Sequence, residues 1–328
     1  MTTETNPNVS RSVIGDDPST GSGDVLSLSK GHRRRAAPLQ RVYRRVAGSE
    51  RRKLLLRRLL TYVLLFTFGL AMLLPFLWML STALKPDALV FSIPPQWFPR
   101  PLVWRNFIDS LTVLGHPVQL YAWNTTVIAV LGVTGVALSS SLVAFGFARL
   151  DFPGRNLLFV VMISTMMLPR LVTIVPQFIL FQKLGWLDTF KPLIVPYWFG
   201  APFHIFLLRQ FFLSIPMELD AAARVDGASS LQIYARIILP LSKPALATVA
   251  IFAFVYHWND LLEPLIFLSS QKNWTLALFL ASFQGYMQQP RWNLLMAVST
   301  ILTLPVLVLF FFAQRLFIGG ITVTGIKG

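Results

Sequence analysis

The sequence predicts an all-α integral membrane protein with six transmembrane helices. Three observations carry that expectation. The 328 residues are 54% hydrophobic and only 13% charged, with a mean hydropathy of +0.60. Soluble chains carry roughly 25% charged residues, so this one has too few to cover a globular surface in water. Six runs with little or no charge recur along the chain, each near the ~20 residues that cross a ~30 Å hydrocarbon core. A strongly basic segment precedes the first run, as expected of a cytoplasmic flank.

Residues 59–84 are 26 residues without a charge, and residues 118–148 are also uncharged. Residues 156–182 are apolar apart from Arg170, and residues 192–208 form a shorter, aromatic-rich run containing His204. Residues 245–268 are interrupted only by Asp260 and Glu263, and residues 292–314 are 23 residues with no charge. A seventh candidate, residues 274–283, is ten residues long before polar GYMQQP begins. That length suits an interfacial or re-entrant segment better than a span.

The N-terminal segment differs in kind. Residues 1–30 are rich in Thr, Ser, Asn, Gly and Asp and hold too few bulky apolar side chains to fold alone. Residues 31–58 are basic, and the first apolar run starts too late and runs too long for a cleaved signal peptide. Residues 1–52 are therefore predicted as a disordered basic cytoplasmic tail and residues 53–328 as the membrane domain. The tail is either a solvated extension or a regulatory segment for anionic lipid.

Net charge is +15, from 29 basic and 14 acidic residues, and the first 58 residues hold 13 of the basic and 5 of the acidic ones. No nucleic-acid partner is expected, because a single tyrosine, Tyr43, stands among the arginines of the basic segment, too few aromatics for a stacking platform. Beyond the tail, Lys and Arg split evenly, 8 against 8, between the two sides of the membrane. The tail therefore sets the orientation, with both termini cytoplasmic. There are no cysteines, which removes disulfides, thiol catalysis and Cys-ligated zinc. Two histidines in the apolar runs, His204 and His257, have no partner set for a metal and read as packing residues.

Residues 214–242, between the fourth and fifth runs, are unlike an ordinary connection. Ser214 can cap a helix with Pro216 in its first turn, and Gly227 supplies a turn. Ser229 and Gln232 fit a capping box that opens a second helix, which Pro240 ends. Two short helices with alanine-rich faces let another surface approach closely: either a docking element or a packed intracellular loop.

This segment resembles the EAA loop of permease subunits in bacterial ATP-binding-cassette importers, whose pattern is E-A-A, three residues, G, nine residues, I-x-L-P. Ala222, Ala223, Gly227, Ile237, Leu239 and Pro240 stand in that spacing, together with Asp226. Ala221 replaces the motif glutamate, and Asp220 and Glu218 are the nearby carboxylates that can stand in for it. The resemblance extends over nearly all of residues 59–328 and is to the maltose-type carbohydrate permeases. It includes STALKPDALVFSIPPQWFPRPLVWRNF at 81–107, NTTVIAVLGVTGVALSSSLVAFGFARLDFPGR at 124–155, WND at 258–260 and GGITVTGIKG at 319–328.

The resemblance implies an ABC importer permease (MetI-like) fold with cytoplasmic coupling helices, sited in the bacterial inner membrane. It implies a second homologous permease as heterodimer partner, two ATP-binding subunits that dock on the EAA loop, and an extracytoplasmic sugar-binding protein that delivers the sugar. No G-x-x-x-x-G-K-[ST] run occurs in the chain. No cofactor is expected on this chain, with ATP and Mg on the partner ATPase, and the chain is expected to be a transport subunit rather than an enzyme.

Charges at membrane depth default to functional hypotheses. Asp260 and Glu263, three residues apart and predicted on one helical face, adjoin Trp258 and Asn259. The four either line a sugar path or mark an interfacial ion pair to Arg170 or Arg291. Arg170, between Pro169 and Pro176, lies near mid-depth of a proline-broken run, where such helices line transporter cavities. A rival reading, a self-contained secondary transporter or channel, would require internal repeats, and none is evident between the halves.

Overall fold

The computed structural model describes residues 25–112, 117–285 and 291–322. Among the described residues every regular element is helical. The chain falls into two units, Met1–Leu74 and Pro75–Gly328. In the first, the described residues form most of α1 (Val25–Ala83), and the side chains of Leu60, Val63 and Phe66 are exposed. Of the tail expected to be disordered, residues 1–52, residues 25–52 belong to α1 and residues 1–24 lie outside the described residues, as does the VTGIKG stretch beyond Thr322.

The second unit contains α2 (Arg105–Asp109), α3 (Val118–Arg149), α4 (Arg155–Ser164), α5 (Arg170–Lys183), α6 (Lys191–Ile194) and α7 (Pro202–Ser214). The loop region follows with α8 (Glu218–Val225), α9 (Ser230–Ile233) and α10 (Leu239–Leu241). The chain then continues through α11 (Lys243–Asn259), α12 (Leu262–Phe267), α13 (Leu276–Gly285) and α14 (Trp292–Thr322).

Three stretches, Lys53–Ala83, Val118–Arg149 and Trp292–Phe312, are long and apolar enough to cross a membrane as single helices. Two bent pairs qualify when each is taken together: residues 155–167 with 170–183, at 99°, and residues 230–241 with 243–259, at 79°. The six apolar runs therefore do not form six uninterrupted helices. Residues 192–208 break into α6, a 3-10 turn at Val195–Phe199, Gly200 at φ +95° and then α7. Pro192, Pro196 and Pro202 withhold three backbone donors in that stretch, and each is placed where a new turn begins. The run 274–283 becomes α13, whose Leu276, Phe279 and Phe283 are buried.

Helix α3 is the axis of this unit and packs against α7, α11 and the Val195–Phe199 turn. With 32 residues it is ~48 Å long. Ala129, Gly132, Ser140, Ala144 and Ala148 are among its buried positions. In lipid there is no hydrophobic drive between helices, so small residues that admit close approach do the work of association. The two glycines show how close that approach is: a Cβ on Gly132 would lie 2.3 Å from His257 Nε2, and one on Gly135 2.5 Å from Trp198 Cδ1. His257 is thus a packing residue seated in a glycine notch, as expected from sequence.

Polar side chains fasten the end of the bundle near the N-terminus of α3. Asn124 donates to the carbonyls of Lys272 (2.8 Å) and Trp274 (2.9 Å), and Thr125 Oγ1 accepts from Leu276 N–H at 2.9 Å. Asp188, at φ +58°, accepts from the Ser269 and Ser270 N–H groups at 3.0 and 2.8 Å and from the Ser270 hydroxyl. Burial pushes the Asp188 carboxyl up, but the donors from Ser270, Asn273 and Ser269 prevail and hold it down at about 2. Asn106 donates to the carbonyls of Ala83 and Lys85 at 2.8 Å each, closing the segment that follows α1.

Gly132→Val should sharply reduce the amount of monodisperse protein on size exclusion in mild detergent. Gly132→Val with His257→Ala should recover much of it, because the imidazole is the group in the way.

Candidate functional site

Two places in the second unit gather the sequence-predicted residues. The first is the loop at the C-terminal end of α3. Helix α8 opens at Glu218 with Met217 as its N-cap; Ser214 is instead the last residue of α7, bonding back to Phe211 O at 2.6 Å. The predicted start at Ser214 is thus corrected: Ile215 is extended (ψ 131°), so the chain leaves the helix there and re-enters it after Pro216. Gly227 ends α8 at φ +83°, with Gly227 N–H bonded to Arg224 O (3.0 Å) and Ala228 N–H to Ala223 O (2.9 Å). That left-handed closure is why glycine is needed.

The Ser229–Gln232 capping box is present in both directions, at 3.3 and 2.8 Å. Pro240 does not end this helix. The backbone passes through a π turn at Tyr234–Ile238 into α10, and the sharp bend comes after it, at Ser242. A wider turn accommodates a residue with no N–H to give to the carbonyl four back.

The loop has two faces. Ile233, Tyr234 and Ile238 are buried, with Ile237, Leu239 and Ala223 packed partly against the same core. Ala221, Ala222, Asp226, Gly227 and Pro240 are exposed, and so are Leu219, Val225 (88%) and Leu231 (66%). Of the two carboxylates near Ala221, Glu218 is exposed while Asp220 is buried, 3.7 Å from Arg149 Nη1. The carboxylate of Asp220 points into the bundle and does not replace the motif glutamate on the exposed face.

The second place lies at the helix breaks on the far side of the bundle. Arg170 is the first residue of α5, directly after the 99° bend at Leu168–Pro169. Its Nη2 lies 2.7 Å from Glu263 Oε1 and 3.1 Å from Asp260 Oδ1. The Tyr197 hydroxyl reaches both Glu263 oxygens at 3.2 Å and the Tyr256 hydroxyl at 3.0 Å, and the guanidinium stands 5.0 Å from the Tyr256 ring. Both carboxylate side chains are covered, 8% and 11% exposed, whereas Arg170 keeps 39%.

Asp260 and Glu263 do not share one helix face, as their spacing predicted. Helix α11 ends at Asn259, and Glu263 belongs to α12. Pro264 has no N–H for the Asp260 carbonyl, which favours the break between α11 and α12 at Asp260–Leu261. The break swings both carboxylates onto one guanidinium, which selects Arg170 as their ion-pair partner.

Trp258 and Asn259 do not join this cluster. Trp258 Nε1 donates to Leu302 O at 3.3 Å, and both residues line a cavity of about 580 Å³ shared with α13 and α14, where Ser299 and Thr303 supply the other polar groups.

Comparison with known proteins places this architecture. Residues 135–323 match the family model described as "Binding-protein-dependent transport system inner membrane component". The chain belongs to that family. The permease is 32% identical to the "Probable ABC transporter permease protein YurM" of Bacillus subtilis, over 90% of this chain and 97% of the relative. It is 30% identical to the "Trehalose/maltose transport system permease protein MalG" of Thermococcus litoralis, over 84% and 99%. Its fold matches a chain of a bacterial ABC transporter involved in import of the acidic polysaccharide alginate, with a TM-score of 0.69 at 23% identity, covering 78% of this chain and 95% of that one. A permease of this family is a multi-pass membrane transport subunit, not an enzyme, and it partners a second permease, an ATPase and a binding protein.

Sequence reasoning missed three contributors in the permease. Tyr197 and Tyr256 complete the charge cluster, and Arg149 fixes the loop. Each sits in a run that reads as apolar packing or a loop charge, and only the fold brings its partners near.

Arg170→Met should destabilise the permease by roughly 3 kcal/mol in thermal unfolding. That is the low end for breaking a buried pair, because Arg170 is partly exposed. Adding Asp260→Asn and Glu263→Gln should restore most of the loss, since no uncompensated charge then remains buried.

Proposed function

We propose that this permease is the membrane subunit of an ATP-driven importer of di- or oligosaccharides, forming the translocation path with a second, homologous permease. Two ATP-binding subunits carry ATP and Mg and dock on residues 214–242, and an extracytoplasmic binding protein delivers the sugar. Both termini then lie in the cytoplasm, in keeping with the basic N-terminal tail.

The observation that carries the reading is the two-sided loop. An alanine-lined outer surface, with Leu219, Val225 and Leu231 standing exposed among Glu218, Arg224 and Asp226, is set on helices whose inner surface is locked into the bundle core. Surfaces of that kind mark protein–protein contacts. The sugar class is supported by the trehalose/maltose relative.

The Arg170 cluster supports a place for the path. A charged group at two helix breaks, ringed by tyrosine hydroxyls and left open on one side, offers donors and acceptors to sugar hydroxyls. On this reading Arg170, Asp260 and Glu263 border the path, while Trp258 and Asn259 border the adjoining cavity.

Extraction in mild detergent followed by mass spectrometry should recover a second permease, an ATPase and a binding protein that takes up maltose-type sugars. A lone chain, unchanged by crosslinking in native membranes, would favour a self-contained transporter. Gly227→Trp should abolish sugar uptake while the permease still inserts: no atom lies within 4 Å of the added Cβ, so the damage comes from the left-handed backbone and the bulk on the docking face.

A further inference from the structure

Arg149, the last residue of α3, is charged and almost wholly buried, 4% exposed. Its Nη2 donates to the carbonyls of Phe212 (2.6 Å), which also accepts from Ile215 N–H, and of Ile215 (2.7 Å), where α7 ends. Its Nη1 lies against Met217 Sδ and 3.7 Å from Asp220 Oδ2 in the first turn of α8. One guanidinium thus spans α3, the end of α7, the three-residue connector 215–217 and α8. Asp220 is 2% exposed, and neither of its oxygens has a hydrogen-bond partner among the described residues. Arg149 supplies its counter-charge.

The second half of the loop is tied to the same helix. The Tyr234 hydroxyl lies 2.7 Å from Ser141 Oγ, and its ring packs on Phe145 at 5.2 Å. The two attachments are eight residues apart on α3, ~12 Å along its axis. A connector of three residues would by itself let α8 swing. The fork of Arg149 removes that freedom.

We propose that Arg149 is a positioning residue for coupling: through Phe212, Ile215 and Asp220 it clamps α8 to α3, so that a displacement of the docking helix is delivered to the central helix as a rigid-body movement. This rests on the reading of residues 214–242 as the ATPase-docking loop. Charge suits the task better than packing. A buried ion pair adds little stability over a well-packed apolar pair. Here, however, the guanidinium that supplies the counter-charge to Asp220 is itself aimed by its two hydrogen bonds to the Phe212 and Ile215 carbonyls, which fixes a geometry.

The chain has no cysteine, so spin labels can be placed at Leu142→Cys on α3 and Val225→Cys on α8, both exposed positions. The distance between them is measured by pulsed electron paramagnetic resonance in the purified assembly, without nucleotide and trapped with ATP and vanadate. The clamp predicts one narrow distance, equal in both states. In Arg149→Met with Asp220→Leu, which leaves no buried charge unpaired, the distribution should broaden and shift between states by more than the roughly 1–2 Å typical of packed-helix adjustments. Arg149→Lys keeps the charge but not the two-carbonyl fork, and should give an intermediate width even if the double variant assembles poorly. A distribution as narrow as wild type in either variant, or a wild-type distance that changes with nucleotide, overturns the proposal. If no ATPase co-purifies, the docking reading fails, while the nucleotide-free comparison of wild type with Arg149→Lys still decides whether Arg149 holds α8.

Discussion

Inside a hydrocarbon core no water completes an unmade hydrogen bond or screens a bare charge, and that constraint shapes this permease. Backbone groups are satisfied within helices, so each interruption needs side chains to close it. The interruptions fall where proline withholds an N–H, at Pro169, within 192–202 and at Pro264, and the buried charges gather beside them. Arg170 joins the break before α5 to the break after α11 by meeting two carboxylates. Arg149 donates to the carbonyls of Phe212 and Ile215 where α7 ends. The irregular backbone and the ionic groups answer one another.

Helix α3 turns these local solutions into one body. Small residues along it admit α7 and α11 closely, with His257 and Trp198 fitted over its glycines. At one end Asn124 and Thr125 hold the 272–276 segment, and at the other Ser141 and Arg149 hold both halves of the 214–242 loop. A helix attached at both ends in this way is suited to carry movement from the proposed docking surface of the 214–242 loop to a helix-break cluster further along.

How much of this was legible beforehand depended on the range of the interaction. Signals carried by neighbouring residues were readable: the Ser229–Gln232 capping box, the turn at Gly227 and the apolar runs all rest on local chemistry. Proline misled in two directions. The run that looked continuous breaks just before Pro264, whose missing N–H leaves the Asp260 carbonyl without a helical donor. Pro240 fails to end its helix, because a π turn before it absorbs the missing bond. Asp220 was read only as a motif neighbour and Arg149 was not singled out, since their pairing spans 71 positions of sequence and nothing local announces it. The ion pair of Arg170 was readable as an option, and the fold chose its partners.

The central claim is that the exposed face of α8 is the surface on which the ATPase docks. Because the chain has no cysteine of its own, a single cysteine at Ala222 or Val225 can be crosslinked in native membranes with a short bifunctional reagent. The account predicts a covalent product with the ATPase from both positions and none from a cysteine at Thr126, near the opposite end of α3. Crosslinking from Thr126 but not from Ala222 or Val225 would contradict it.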